Sequence, residues 1–368
     1  MKKIFLSLGI ILIILAFISC NSSRKPARGS EDEIFVVADS VEFEELRLSL
    51  ETAFEKIIYT PQPEKLFTLN RISPNEIEKY KNRKNIIIAA PLNSQSNTSK
   101  FIREITDSSA IKELLKSDGF SINKYDLWAK QQLVMVLTSH GIQELEFKIL
   151  QNKDNLLYAF QKISDNRLYE SLYNSRYEQD DIEGKFLRDY GWIIYVQADF
   201  KLALDKPEDN FVWLRRSPGS DMERWIFVHW IDNASPENLN PDSIKAIRNR
   251  VTEKYYRTTD DSGYVVIAED YFTTSEVNFK GRYAILTQGL WDLNVKGMGG
   301  PFINYTFYDE KSKRLYMVDG SVFAPKYYKR NLIQQMDVTL QSFMTEAELS
   351  KDRKEDLLDA AEDYKPLH

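Results

Sequence analysis

Asn210–Arg216 reads NFVWLRR and Glu223–Ile231 reads ERWIFVHWI, with Ser217-Pro218-Gly219-Ser220 in the link between them. Two β-rich aromatic runs joined through Pro and Gly predict an antiparallel hairpin. Strand alternation puts Trp225, Phe227, His229 and Ile231 on one face, and Ile226, Val228 and Trp230 on the other. Apolar groups on both faces mean that the sheet is covered on both sides. His229 then reads as a core histidine before it reads as a ligand or a base.

Downstream of the hairpin, Arg282–Leu290, Phe302–Tyr308 and Leu315–Phe323 have the same β texture, and upstream so does Trp192–Phe200 (WIIYVQADF). Pro241 opens a helix through Tyr256, with Ile244, Ile247, Val251 and Tyr255 along one side. A final amphipathic helix carries Tyr328, Leu332, Ile333, Met336 and Leu340. Beyond about residue 346 the chain is charged, with Leu357 and Leu358 available to a terminal helix.

The N-terminal half reads differently. Glu33–Ala38 (EIFVVA) and Lys84–Ala90 (KNIIIAA) are strands around a helix with Phe43, Leu46, Leu50, Ala53, Phe54 and Ile57 on its buried stripe. Pro61-Gln62-Pro63 ends that helix, Phe67–Leu69 extends briefly, Pro74 opens a short helix through Tyr80, and 93–100 is a loop. From Phe101 to about Leu172 the periodicity is mostly helical; within it Val134–Thr138 (VMVLT) is β-rich, with a helix terminus under tertiary control as the alternative. Ile142–Leu172 is one helix or two around Lys153-Asp154-Asn155, and another helix covers Glu178–Tyr190. The fold class is α+β, with mixed or antiparallel sheets, a helix-rich central segment and a C-terminal helix. The body, 31–345, forms either two related sheet units (31–190 and 191–345) or one mixed sheet with helical insertions, followed by a charged extension, 346–368.

Composition bounds the chemistry. The chain has 368 residues, 43% hydrophobic and 28% charged, enough for a core and unlike a disordered chain. Lys plus Arg number 49 against 55 Asp plus Glu, and a net charge of −6 argues against broad nucleic-acid binding. A single Cys and three His exclude a disulfide within the chain and cysteine-cluster metal sites, so no metal or cofactor is expected.

The N-terminus reads as an address. Lys2 and Lys3 precede an apolar run from Ile4 to Ser19, too short for a comfortable membrane span and shaped like a signal peptide. Phe17-Ile18-Ser19-Cys20 resembles a bacterial lipobox, which implies removal of residues 1–19 and acylation of Cys20, a lipoprotein carrying palmitate-type chains. Residues 20–30 then form a flexible tether, in which Arg24, Lys25 and Arg28 are solubilising before they are membrane contacts. Asn21 after the lipidated position, with no acidic run, favours an outer membrane's periplasmic face, with surface exposure the alternative.

Five stretches carry a family resemblance: Arg83–Ile88, Leu127–Val134, Gly289–Leu293, Met298–Phe302, and Asp319–Lys326 followed by Lys329-Arg330-Asn331. Together, from Glu33 to Phe343, the chain resembles the Bacteroidota lipoprotein family called domain of unknown function 4837. The resemblance implies cell-envelope localisation and supplies no catalytic residue, substrate or partner.

Candidate sites follow from the later sheet. Arg215, Arg216, Trp213, Trp225 and Trp291, with the Gly299-Gly300 turn, form an expected binding rim for an envelope protein or a glycan. No nucleophile elbow surrounds Ser220 or Ser321, and Asp180-Asp181 and Asp260-Asp261 read as solvated charge or caps. The favoured function is non-catalytic binding. The alternative is an envelope glycan or peptide hydrolase in which Asp292, Asp319 and Tyr308 approach the Gly299-Gly300 amides, one acid activating water while a neighbour donates a proton.

Overall fold

The computed structural model describes residues 24–295 and 297–365. The expected signal segment, Cys20 and His368 lie outside the described residues. The chain divides into two compact units, one comprising the chain up to Lys56 and Lys65–Ser164, the other Ile57–Glu64 and the chain from Asp165 onward.

The first unit is an α/β layer. Its strands are β1 (Glu33–Val37), β2 (Thr68–Ile72), β3 (Asn85–Ala89), β4 (Ser121–Tyr125) and β5 (Leu133–Leu137), in the order β2-β1-β3-β5-β4. Every pair is parallel except β4 on β5. Helices α1 (Ser40–Phe54), α5 (Ile142–Gln151) and α6 (Lys153–Leu172) cover one face through Phe43, Leu46, Leu50, Leu145, Ile149 and Phe160. On the other face lie α2 (Ile77–Tyr80), α3 (Asn97–Ile105) and α4 (Ser108–Lys116), contributing Ile77, Ile102, Ile105 and Ile111. Of the two readings of Val134–Thr138, the β-rich one holds, in the buried strand β5 within a stretch read as mostly helical. A strand covered on both faces needs no alternation, so its continuous apolar run imitates a buried helix segment. The loop expected at 93–100 also ends early, because Ser96 caps α3 by accepting from the Ser99 N–H.

The second unit is built on an antiparallel sheet. After α7 (Asp180–Tyr190) come β6 (Phe200–Lys206), β7 (Phe211–Arg216), β8 (Glu223–Asp232), α8 (Pro241–Tyr255), β9 (Val265–Ile267), β10 (Thr273–Phe279), β11 (Arg282–Leu293), β12 (Gly299–Asp309), β13 (Arg314–Phe323), α9 (Arg330–Leu340) and α10 (Lys351–Ala360). The strand order is β9-β11-β12-β13-β8-β7-β6, with β10 also on β11. The β7–β8 hairpin has the expected faces. Ile226, Val228 and Trp230 pack under α7 and α9, while Trp225 and Phe227 pack under α8. Trp192–Phe200 is not one strand: Trp192–Ile193 pairs with Met344–Thr345, Gln197 makes an isolated bridge to Glu178, and β6 starts at Phe200. The chain thus carries two separate sheets, a mixed, mostly parallel one and an antiparallel one, in units that divide at Ser164/Asp165 rather than at 190/191, and their strand directions differ.

Candidate functional site

The expected catalytic acids do not meet. Asp292 pairs with Gly299 across β11–β12, whereas Asp319 pairs with Asn304 across β12–β13. Gly299 and Asn304 differ in parity on β12, so the two acids occupy opposite faces. Two strand spacings and five residues of rise separate them by roughly 20 Å. Tyr308 shares the Asp319 face but lies further along, opposite Leu315. Gly299 and Gly300 form no turn with exposed amides, because both are paired strand residues facing Asp292 and Trp291. The glycines there serve close packing. A Cβ on Gly300 would stand 2.0 Å from the Val322 carbonyl oxygen. The hydrolase geometry is therefore overturned.

Asp319 is instead the centre of a fully buried polar network. Arg248 on α8 donates from Nε to Asp319 Oδ2 at 2.7 Å and from Nη2 to Oδ1 at 3.3 Å and to Ser321 Oγ at 3.1 Å. Asn304 and Ser321 donate to the same carboxylate, and the guanidinium lies 3.8 Å from the Phe302 ring centroid. Arg248 follows Ile244 by one helical turn, so the buried stripe of α8 carries it inward. That spacing, together with the inward parity of Asn304 and Thr306 on β12, was the sequence signal for a network that reasoning from motifs missed.

The expected aromatic rim is also interior. Trp225 and Trp291 are buried and lie 5.0 Å apart, and Tyr256 packs on both Trp213 and Trp225. Arg215 donates to Glu223 at 2.6 Å and covers Trp213, while Arg216 pairs with Asp199. His229 Nδ1 bonds the Asn210 carbonyl at 2.9 Å, and burial pushes its pKa down to about 4. At neutral pH it is an uncharged core imidazole. Asp261 pairs with Arg257 and Asp260 accepts from Ser262. Glu178, Asp180 and Glu183 do converge, around Arg353 of α10 at 3.1 Å from Asp180 and 3.2 Å from Glu183. Burial pushes the Glu183 carboxyl well up.

Exposed aromatics gather elsewhere: at Tyr59, beyond an expected helix that ends at Phe54 and leaves Ile57 exposed, at Tyr271, and at Tyr328, which precedes α9 rather than lying on it. Within the second unit, Tyr59 and Tyr271 stack at 3.9 Å with an interplanar angle of 19°, although they are 43% and 48% exposed. Tyr271 holds φ 62, a left-handed conformation that costs a bulky residue of order 1–3 kcal/mol. Tyr59 belongs to the hairpin Ile57–Tyr59/Pro63–Lys65. From the same hairpin the Glu64 carboxylate accepts from the Lys329 N–H at 2.8 Å and the Arg330 N–H at 3.0 Å. Lys329 Nζ donates to Gln62 Oε1 and to the Tyr327 carbonyl, both at 2.9 Å. One hairpin thus carries Tyr59 of the stacked pair and clamps the segment bearing Tyr327 and Tyr328, the latter 80% exposed. A helical period carried through Ile57 and back to Tyr328 assigned this surface to buried helix faces, whereas α1 ends at Phe54 and α9 starts at Arg330.

A separate open cleft of about 940 Å³ is lined by Asp232, Asp309, Arg314, Glu346, Lys354 and neighbours. Arg314 pairs with Asp232 at 2.6 Å and Lys354 with Glu346, so much of its charge is internally matched. No helix among the described residues is long and apolar enough to cross a membrane.

Residues 178–342 match the family model described as Domain of unknown function (DUF4837). Residues 27–173 match another, Domain of unknown function (DUF8532). The resemblance read across Glu33–Phe343 therefore divides: Arg83–Ile88 and Leu127–Val134 fall in the second match, and the later motifs in the first. No curated protein matches the chain. Among solved structures, the Ran-binding protein Mog1p of Saccharomyces cerevisiae is 11% identical, with TM-score 0.28 over 42% of this chain and 90% of that one. Human STARD10 is 10% identical, with TM-score 0.20 over 46% and 75%. Likenesses at these scores carry no argument about this chain.

Proposed function

We propose that this chain is a non-catalytic, lipid-anchored cell-envelope protein of the Bacteroidota type, acylated at Cys20 on the periplasmic face of the outer membrane. It docks a partner protein through the tyrosine surface of its second unit. The observation that carries the docking reading is the exposed Tyr59–Tyr271 stack. Tyrosines left 43% and 48% exposed keep apolar ring area in water that a partner would bury at about 25 cal/mol per Å², and Tyr is among the residues that dominate binding energy at protein interfaces. The strained backbone at Tyr271 is held where a ring must be presented rather than buried. The lipobox-like Phe17–Cys20 and the polar tether support the anchor, because several acyl chains hold a protein on a bilayer stably.

The test compares full-length protein with Tyr59→Ser/Tyr271→Ser and Cys20→Ser variants in intact envelopes. Crosslinking and capture should recover a protein partner with the parent chain and lose at least tenfold with the tyrosine pair replaced. Capture unchanged in that variant, or glycan alone retained, overturns the docking reading. Cys20→Ser should abolish lipid labelling and release the body from membranes; undiminished labelling overturns the anchor.

A further inference from the structure

The strand register of the second unit sets a row of side chains across one face of its sheet: Phe200 on β6, Arg216 on β7, Arg224 on β8 and Val322 on β13. Phe200 and Val322, at the ends of the row, belong to the core under α7 and α9. Arg216 and Arg224 between them are directly opposed. Such a pair has its Cβ atoms about 4.5–5.5 Å apart and is unfavourable for like charges. Arg224 is only 7% exposed. Its Nη1 donates to the Gln335 side-chain oxygen of α9 at 2.8 Å, and that amide satisfies a donor without neutralising the charge. Nε of both arginines is buried without a partner. Nη2 of Arg224 has no partner either, and it is not sealed from solvent.

No acid among the described residues pairs with Arg224. Glu223 precedes it, but strand alternation turns Glu223 to the other face. There its carboxylate accepts from Arg215 at 2.6 Å, the Trp225 indole at 2.8 Å and the Gly219 N–H at 2.5 Å. Asp199 pairs with Arg216 and is half exposed, so water screens it. The row therefore sets two guanidinium charges against one carboxylate, and the unpaired cation is the deeply buried one. Burial and the neighbouring Arg216 push the Arg224 pKa down to about 10, which leaves it charged at neutral pH. A buried charge without a counter-charge is costly. One further anion removes that cost, and Nη2 is the donor through which it reaches the guanidinium.

We infer that Arg224 and Arg216 form a binding site for one carboxylate. The excess of one positive charge selects a monoanion, and the planar guanidinium fork matches a planar two-oxygen group. The site goes beyond the docking reading and does not draw on the tyrosine stack. Thermal unfolding of the full chain, followed by tryptophan fluorescence at constant ionic strength, reads it as sodium acetate is added. Acetate should raise the unfolding temperature with single-site saturation in the millimolar range. Arg224→Gln should lower the affinity at least tenfold. Because the amide needs no counter-ion, that variant should also be at least as stable as the acetate-free parent. Asp199→Asn removes the competing acid from an exposed position and should raise the affinity at least threefold; it carries the test if Arg224→Gln does not fold. N-acetyl-trialanine should bind, and its C-terminal amide should not. Tighter binding of the peptide than of acetate places the carboxylate on a peptide, and equal binding places it on a small acid; each supports the site. No saturable effect of either carboxylate, equal affinity in folded Arg224→Gln, unchanged affinity in Asp199→Asn, or tighter binding of inorganic phosphate overturns it.

Discussion

Replacing Asp319 by Asn keeps the shape of the side chain and one acceptor oxygen, but leaves the Arg248 guanidinium charged and fully buried. In the parent, Nε and Nη2 of Arg248 both end on that carboxylate, and Ser321 is the other acceptor for Nη2. Breaking a buried pair from one side costs about 3–5 kcal/mol. For a unit of about 210 residues, that lowers Tm by roughly 6–20 °C. Arg248→Met should cost less, because Asp319 keeps Asn304 and Ser321 as donors. The double variant should recover part of the loss, with a coupling of about 2 kcal/mol. Urea unfolding followed by tryptophan fluorescence reads this unit, since every Trp except Trp128 lies in it. A loss below about 1 kcal/mol in Asp319→Asn with an unchanged m-value would refute the reasoning. It would mean that water reaches the guanidinium, and a hydrated acid there would reopen a catalytic role.

Gly300→Ala should prevent folding or destabilise by several kcal/mol, because its Cβ meets a backbone carbonyl at 2.0 Å that cannot step aside. Gly281→Ala, at φ 88 with nothing nearby, should cost only about 1 kcal/mol in the same denaturation assay. His229 binds its proton more weakly in the folded state than in the unfolded one, whose pKa is near 6.5. Its contribution is therefore intact above pH 6.5 and is lost as pH falls toward 4, by up to about 3 kcal/mol. His229→Gln should flatten the stability slope between pH 4 and 6.5, and an unchanged slope would assign it to other groups.

Local pattern was enough for β1, β3, the β7–β8 hairpin with its two faces and helix α8, and for α1 and α9 apart from their ends at Ile57 and Tyr328. In each, apolar spacing and Pro or Gly punctuation agree, and the packing partners only confirm the local preference. It was not enough for β5, because LVMVL is apolar at every position and its identity depends on helices covering both faces. Nor was it enough for function. Tryptophans beside arginines look the same in sequence whether they line a rim or a core, and α8 laid over Trp225 and Trp291 decided for the core. Asp292 and Asp319 differ only in strand parity once the register is known, and register is a long-range property. The tyrosine surface and the Arg224 site arise because distant segments meet: a hairpin near residue 60 with the start of α9, and β8 with Gln335 of α9. The address proposed at Cys20 is the opposite case: its reading rests on local residues alone, because charge and apolar length, rather than packing, define such a segment.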